Sequence, residues 1–439
     1  MSKEYDPIMD IDNILEEFSQ SGDYTGAEEE PVKVYTPADA KTVSKSSKAE
    51  ARQKPEQRPP LFSVPARFRK LIPIVFSLIS VFAMFWMLFN VHPAAGPVAS
   101  ATGADNRLNL INRLEQFMNN AASDALGDLA YIKKIYTIEE SATVAPPPHK
   151  SCYGSTTDPT EIQAVIDQAS ELLEGQEMAW DPNADFFPGS QINYYYDETI
   201  LVIAWKEIID GKVCTCAEVK IAHGSQLRRK IAEDTYGSSV QMKASDMAQQ
   251  SNSVIAINGD FYAFRTLGIT GYQGTIYRCA PETVDSCFFT RDGDMIFSYA
   301  GHVTSWEEAQ SIMDENNCGF AIAFGPVLID DGELLKIDRY PIGEVHMTYS
   351  RAAIGMLDKL HYMLMTVNYE VGFDTTATIH QLGKFMYSKG CTDAYTLDGG
   401  QTSVMVMQGE TLNSVDWGIE REMSDIIYFA TALPAEEVA

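Results

Sequence analysis

Four short polar stretches, each beside a run of apolar residues, carry side chains that hydrophobic packing alone does not explain. Asn258-Gly259-Asp260-Phe261-Tyr262 follows the apolar run 253–257. Glycine lets the backbone turn sharply there, so the Asn258 amide and the Asp260 carboxylate can face one pocket. Gly325-Pro326 follows the run 320–324. Arg351 opens a strand-like Ala-Ala-Ile-Gly, and a buried guanidinium needs a partner; its fork suits a phosphate or a carboxylate. Asp398-Gly399-Gly400-Gln401-Thr402-Ser403 ends another apolar run. A strand running into Asp-Gly-Gly aims a carboxylate from a sheet edge, and two glycines let a ligand approach the backbone closely. Two carboxylates in one pocket would push their proton affinities apart, the usual way acid and base roles are divided. Each stretch also has a plainer reading: an Asx turn, a Gly-Pro turn, a structural ion pair and a hairpin turn.

The elements that would position these groups are read from periodicity and turn chemistry. The runs 199–209 and 212–222 flank Asp210-Gly211, a strong two-residue hairpin signal. The runs 288–290 and 295–298 flank Asp292-Gly293 in the same manner. Ser305 with Glu308 reads as a capping box for a helix to about residue 315, and a second helix is expected over 376–388, stopped by Gly390. Short apolar strands are expected at 253–257, 320–324, 327–329, 351–356, 361–367, 404–407 and 425–430. Strands outnumber helices and many are joined by hairpins. The expected class is therefore α+β, with a mixed, largely antiparallel central sheet and flanking helices.

The chain of 439 residues carries 33 Lys+Arg against 61 Asp+Glu, a net charge of −28, which argues against a nucleic-acid partner bound through a broad basic face. With 45% hydrophobic residues it can bury a sizeable core. The acidic excess is uneven: 11 basic and 13 acidic side chains in residues 1–70, 22 and 48 in the remainder. Between them lies 71–91, a stretch of 21 residues without a charge. As a helix it would cover about 30 Å, the thickness of a bilayer's hydrocarbon core. Arg67, Arg69 and Lys70 precede it and no Lys or Arg follows before residue 104, so the expected topology is single-pass type II, with the N-terminus cytoplasmic and the C-terminal domain extracytoplasmic. The expected organisation is a disordered tail (1–70), a transmembrane helix (71–91), a linker and helical stalk (92–185) and the main domain (186–435). Residues 8–18 repeat Ile11, Ile14, Leu15 and Phe18 at helical spacing and could dock a cytoplasmic partner. All seven cysteines follow the span, and an odd count leaves at least one free or paired between chains. Cys279 with Cys287 is the expected intrachain pair. Cys214-Thr-Cys216 lacks a second ligand pair for zinc.

Taken in order, AINGDFY (256–262), FGPVLIDDGEL (324–334), RAAIG (351–355) and DAYTLDGGQTSVMV (393–406) resemble the phosphodiester glycosidase family. That family includes N-acetylglucosamine-1-phosphodiester α-N-acetylglucosaminidase and bacterial exopolysaccharide-related proteins. The resemblance covers roughly residues 190–432. The family's Asn-Gly-Gly-Phe-Phe stands here as Asn-Gly-Asp-Phe-Tyr, and its Asp-Gly-Gly-Gly-Ser as Asp-Gly-Gly-Gln-Thr-Ser.

The resemblance implies a hydrolase that cleaves a sugar-1-phosphodiester at the sugar carbon, releasing free sugar and a phosphomonoester. An oxocarbenium-like transition state needs a nearby carboxylate and a placed water or nucleophile. Asp398 is the expected catalytic carboxylate, Asp260 the second and Asn258 their polar companion. Arg351 and Arg265 are expected at the phosphate, with Gly399 and Gly400 lining the site and Glu370 as a reserve acid. No metal-ligand cluster has diagnostic spacing, yet Asp260, Asp398 and a phosphate could share a divalent cation. The expected partners are a glycan or sugar-phosphate substrate and the membrane. The alternative is a non-catalytic cell-surface glycan-binding or envelope-assembly protein, for which Tyr194–Tyr196 and Trp205 would stack on sugar.

Overall fold

The computed structural model describes residues 135–434, apart from 238, 339, 341, 342, 374 and 375. The expected tail helix (8–18), the span (71–91) and the first part of the stalk lie outside these residues. Among the described residues, no helix is long and apolar enough to cross a membrane.

Antiparallel sheet dominates. The expected hairpin forms as Ile200–Ile209 and Lys212–Ile221. Asp210 and Gly211 have φ of 50° and 74°, the pair of positive values that a tight turn matching strand twist requires. This hairpin seeds a nine-stranded sheet. Its order runs Tyr153–Thr156, Ile192–Asp197, Ile200–Ile209, Lys212–Ile221, His361–Val367, Arg351–Asp358, Asp393–Leu397, Val327–Asp330, Glu333–Leu334. A second sheet of five strands runs Met295–Ser298, Ser286–Thr290, Cys318–Ile322, Gly268–Tyr272, Thr275–Ala280. A third runs Glu410–Thr411, Met405–Met407, Ile255–Asn258, Asp425–Phe429, Leu227–Ile231. These three sheets, with a two-stranded ribbon of Met242–Lys243 and Glu422–Met423, stand among the described residues where a single central sheet was expected. Every strand pairing within them is antiparallel, so the expected mixed character is absent among the described residues.

The sheets share one core. Val202, Ile354 and Tyr395 from the first, Phe289 and Ile322 from the second, and Ile257, Met405 and Ile427 from the third pack together out of water. Each such side chain contributes about 1.5–3 kcal/mol on burial. Helices close the outer faces. Ile379–Ser388 and Pro159–Gln168 cover the nine-stranded sheet. Trp306–Glu315 covers the second sheet, and Ala244–Gln250 the third. Strands buried on both faces lose the apolar–polar alternation, which is why many read as continuous apolar runs.

The helix caps follow their chemistry, with one difference. Thr378 accepts from Gln381 N–H at 3.2 Å, and the Gln381 side chain accepts back from Thr378 N–H at 3.0 Å. Ser305 likewise accepts from Glu308 N–H at 3.1 Å, but the Glu308 carboxylate accepts from Thr304 N–H at 2.7 Å, so that box is only half made. Residues ahead of 186 belong to the same body: Tyr153–Thr156 is the edge strand of the large sheet, and Ile138 and Ala145 are buried against the third.

All seven cysteines are free. The expected Cys279–Cys287 pair fails on geometry. Their strands are separated by two others in the second sheet, so about 14 Å of sheet lies between them at ~4.8 Å per strand. A disulfide needs Cα atoms within about 7 Å. Burial pushes the Cys214 and Cys216 thiols well up, which makes them inert core groups.

Candidate active site

Ends of strands from all three sheets meet at one corner. Asn258 is the last residue of Ile255–Asn258, and Asp398 directly follows Asp393–Leu397. Ala323 and Phe324 directly follow Cys318–Ile322. The corner is laced by hydrogen bonds. Asp398 N–H donates to the Gly259 carbonyl at 3.0 Å, and the Asn258 amide donates to the Asp398 carbonyl at 2.7 Å. Val404 N–H donates to the Asn258 side-chain oxygen at 3.2 Å. Asn258 is therefore a bridge between two sheets, 1% exposed, with both ends of its amide engaged by backbone. Two glycines are needed for these approaches. A Cβ on Gly259 would sit 2.6 Å from an Asp425 carboxylate oxygen, and one on Gly399 would sit 2.6 Å from the Ser350 carbonyl oxygen.

Asp398 is buried, at 7% exposure. Its Oδ1 accepts from Gly399 N–H at 2.8 Å and its Oδ2 from the Thr402 hydroxyl at 2.7 Å. Burial pushes its carboxyl up to about 6; the Thr402 and Gly399 donors and the Arg265 charge pull the other way, while Asp260 adds to the rise. A carboxylate poised near neutral pH, held by two donors and, among the described residues, by no salt bridge, can serve as base or nucleophile.

Asp260 has the opposite setting. Its Oδ1 accepts from Phe261 N–H at 2.6 Å, and its Oδ2 from the Thr270 hydroxyl and Ala323 N–H, both at 3.1 Å. Arg229 and Arg278 stand 3.8 and 3.9 Å from Oδ2. Its N–H donates to Asp425, which is paired with Arg229 at 2.5 Å. Burial pushes the Asp425 carboxyl up and the Arg229 charge opposes it. This cluster of two carboxylates and two guanidinium groups locks the turn after Asn258.

The other expected residues divide. Arg265 stays close: its Nη1 donates to the Phe324 carbonyl at 2.9 Å, it lies over the Phe324 ring at 4.6 Å, and its charge reaches Asp398. Arg351 continues the register of Ala352 with Leu397, which sets it across from Asp398. Its guanidinium, however, donates to the Ala377 carbonyl at 3.0 Å and the Met347 carbonyl at 2.7 Å. Gly399 N–H goes to Asp398 and Gly400 N–H to the Ser350 carbonyl at 2.7 Å, so neither amide cradles an anion. Glu370 accepts from the Ser414 hydroxyl at 2.5 Å and from Lys206 at 3.3 Å. The Tyr195 and Trp205 rings are buried in the core, at 0% and 2% exposure, and offer no sugar-stacking face. Among the described residues no group of three or more His, Cys, Asp or Glu side chains could hold a metal ion. The Asp260 oxygens are turned to Thr270, Ala323 and the arginines rather than to a site shared with Asp398.

Residues 251–430 match the phosphodiester glycosidase family. The match covers the Asn258 turn, Arg351, the Asp398 loop and Asp425 but not Arg229, and agrees with the resemblance read from the sequence. Phosphodiester glycosidase activity, in general terms, is what it supports. An uncharacterized SPbeta prophage-derived protein of Bacillus subtilis strain 168 is 25% identical over 198 residues, 44% of this chain. The chain spans 30% of that relative's length. A hypothetical protein from Synechocystis superposes with a TM-score of 0.45 at 15% identity, over 54% of this chain and 63% of the other. The catalytic domain of zebrafish N-acetylglucosamine-1-phosphodiester α-N-acetylglucosaminidase, auto-inhibited by its pro-peptide, gives 0.44 at 16%, over 56% and 86%.

Three residues of this corner escape a reading by motif. Thr402 lies inside the Asp-Gly-Gly motif but holds the carboxylate rather than a ligand. Asp425 opens an apolar strand, whereas Arg229 lies between Arg228 and Lys230 on a strand that reads as a charge run. The argument made for Arg351, an arginine in an otherwise apolar run, does not extend to Arg229, because Arg228 and Lys230 flank it.

Proposed function

We propose that the chain is a membrane-anchored, extracytoplasmic hydrolase of sugar-1-phosphodiesters in cell-surface or exopolysaccharide glycans. Asp398 is its reacting carboxylate. The observation that carries this is the setting of Asp398: a carboxyl raised to about 6 at the meeting of strand ends from three sheets, inside the matched region. The bond broken joins the anomeric carbon to the bridging phosphate oxygen. Water supplies the hydroxyl of the free sugar, and the electron pair leaves on the phosphomonoester. A phosphate is a good leaving group, so stabilising positive charge on the sugar ring matters more than protonating the leaving oxygen. Ionised Asp398 supplies that stabilisation, as base toward water or as nucleophile. Arg265, half-buried and already felt by Asp398, offsets phosphate charge. Asp260 and Asn258 act by positioning the turn, and Arg351 by fixing the carbonyls of Met347 and Ala377. The membrane anchor rests on the uncharged stretch 71–91 and its basic flank.

Release of free N-acetylglucosamine from an α-N-acetylglucosamine-1-phosphodiester by the purified outer domain tests the reaction. Absence of turnover across a panel of sugar-1-phosphodiesters would contradict it. Proteolysis of intact cells tests the topology: digestion of the C-terminal domain is expected, and its protection would contradict an outside location.

A further inference from the structure

Beside the Asp398 loop stands a tryptophan that no packing explains. Trp417 is 83% exposed and holds φ at 60°, the left-handed region that a bulky residue rarely enters. The surrounding structure imposes this. Next to it, Asp416 accepts from the Ser350 hydroxyl at 2.7 Å, and two residues on, the Ile419 carbonyl accepts from the Gln401 amide at 2.9 Å. Ser350 precedes Arg351, and its carbonyl takes Gly400 N–H. The short loop is thus pinned to the residue before the Arg351–Asp358 strand and to the turn that Asp398 opens. On the same rim Tyr349 is 40% exposed and Ile419 67%. Strain at a fixed, exposed aromatic next to a candidate site is the pattern of a ligand contact.

The geometry points to Trp417 as a stacking platform for a sugar ring of the substrate. This deepens the proposed function and rests on it for the ligand class. A pyranose has an apolar C–H face that a flat ring can cover, and hydroxyl edges that suit carboxylates such as Asp416. A strongly acidic chain favours a sugar over a polyanion at such a rim. A left-handed backbone would be relaxed by glycine, so selection for stability alone would not keep tryptophan there.

Two probes test this: the methyl and the hexosyl phosphodiesters of α-N-acetylglucosamine 1-phosphate. Their affinities are measured by calorimetry in the Asp398→Asn background, with and without Trp417→Ala, Trp417→Tyr and Trp417→Gly. The hexosyl compound should bind Trp417→Ala and Trp417→Gly about tenfold more weakly. Trp417→Tyr should hold most of the affinity, and Trp417→Gly should melt no lower than its parent. Affinity of Trp417→Ala within twofold of the parent for both probes would overturn the assignment, as would failure of the parent to bind either. Trp417-dependent binding without turnover by wild-type protein would leave the platform standing and remove the hydrolase reading. Turnover with Trp417-independent binding would do the reverse.

Discussion

Asp398 and Asp260 are both buried aspartates just past the ends of strands that meet at one corner, yet their surroundings differ in kind. Asp398 has an N–H and a hydroxyl as donors and no salt bridge among the described residues, and burial raises its carboxyl to about 6. Asp260 has three donors, two guanidinium groups within 4 Å, and Asp425 behind its own N–H. The first arrangement leaves a carboxylate with reactivity to use. The second commits the carboxylate to two guanidinium groups and three donors, which makes it an anchor. Equal burial at equivalent positions therefore says little about role; the charge of the partners decides it.

The sharpest way to break this contrast is to remove the carboxylate that pairs with Arg229 behind the anchor. Asp425→Ala strands Arg229 in the core, and losing one partner of a buried pair should cost about 3–5 kcal/mol. Chemical denaturation should show that loss; a change below about 1 kcal/mol would mean the cluster holds nothing in place. Asp398→Asn should do the opposite. A carboxyl whose folded value is raised favours the folded state fully only below its ordinary value, and that contribution is lost as pH rises through about 6. At pH 7.5 the amide variant should therefore be more stable than the parent by on the order of 2 kcal/mol, with the gap closing near pH 4. Thr402 can donate to the Gly399 carbonyl at 2.7 Å, so the amide is accommodated. Equal stability at both pH values would place the Asp398 carboxyl in its ordinary range. Gly399→Ala should cost about 1–3 kcal/mol, because the added carbon meets the Ser350 carbonyl oxygen and backbone must shift. The smallest effect is expected from Thr402→Val. It removes a donor that lowers the Asp398 carboxyl, so the acidic limb of the pH–rate profile should move to higher pH. A shift toward lower pH would contradict the assigned hydrogen bond.

Much of this corner could be read before the fold was known, and the reason is local. A glycine after an apolar run marks a turn, and Asn258, Asp260 and Asp398 all flank such glycines. Asp210-Gly211 was legible for the same cause, because two positive φ values restrict the residues allowed. The division of strands into three sheets was not. Pairings such as Ile426 with Asn258 join residues far apart in sequence, and buried strands show no alternation to say which face meets which neighbour. The division of labour between the two aspartates was equally hidden. It depends on Arg229 and Asp425, which motifs do not mark and which reach Asp260 only once the third sheet is assembled.

The account turns on which aspartate reacts, and one paired measurement addresses it: turnover of a sugar-1-phosphodiester by Asp398→Asn and by Asp260→Asn, alongside the melting midpoint of each. Asp398→Asn should lose on the order of 10³-fold or more in rate while melting at or above the parent, because the amide cannot carry the charge the transition state requires. Asp260→Asn should lose stability first and activity in proportion to it. Near-wild-type turnover in Asp398→Asn, with loss of turnover in a fully folded Asp260→Asn, would contradict the account.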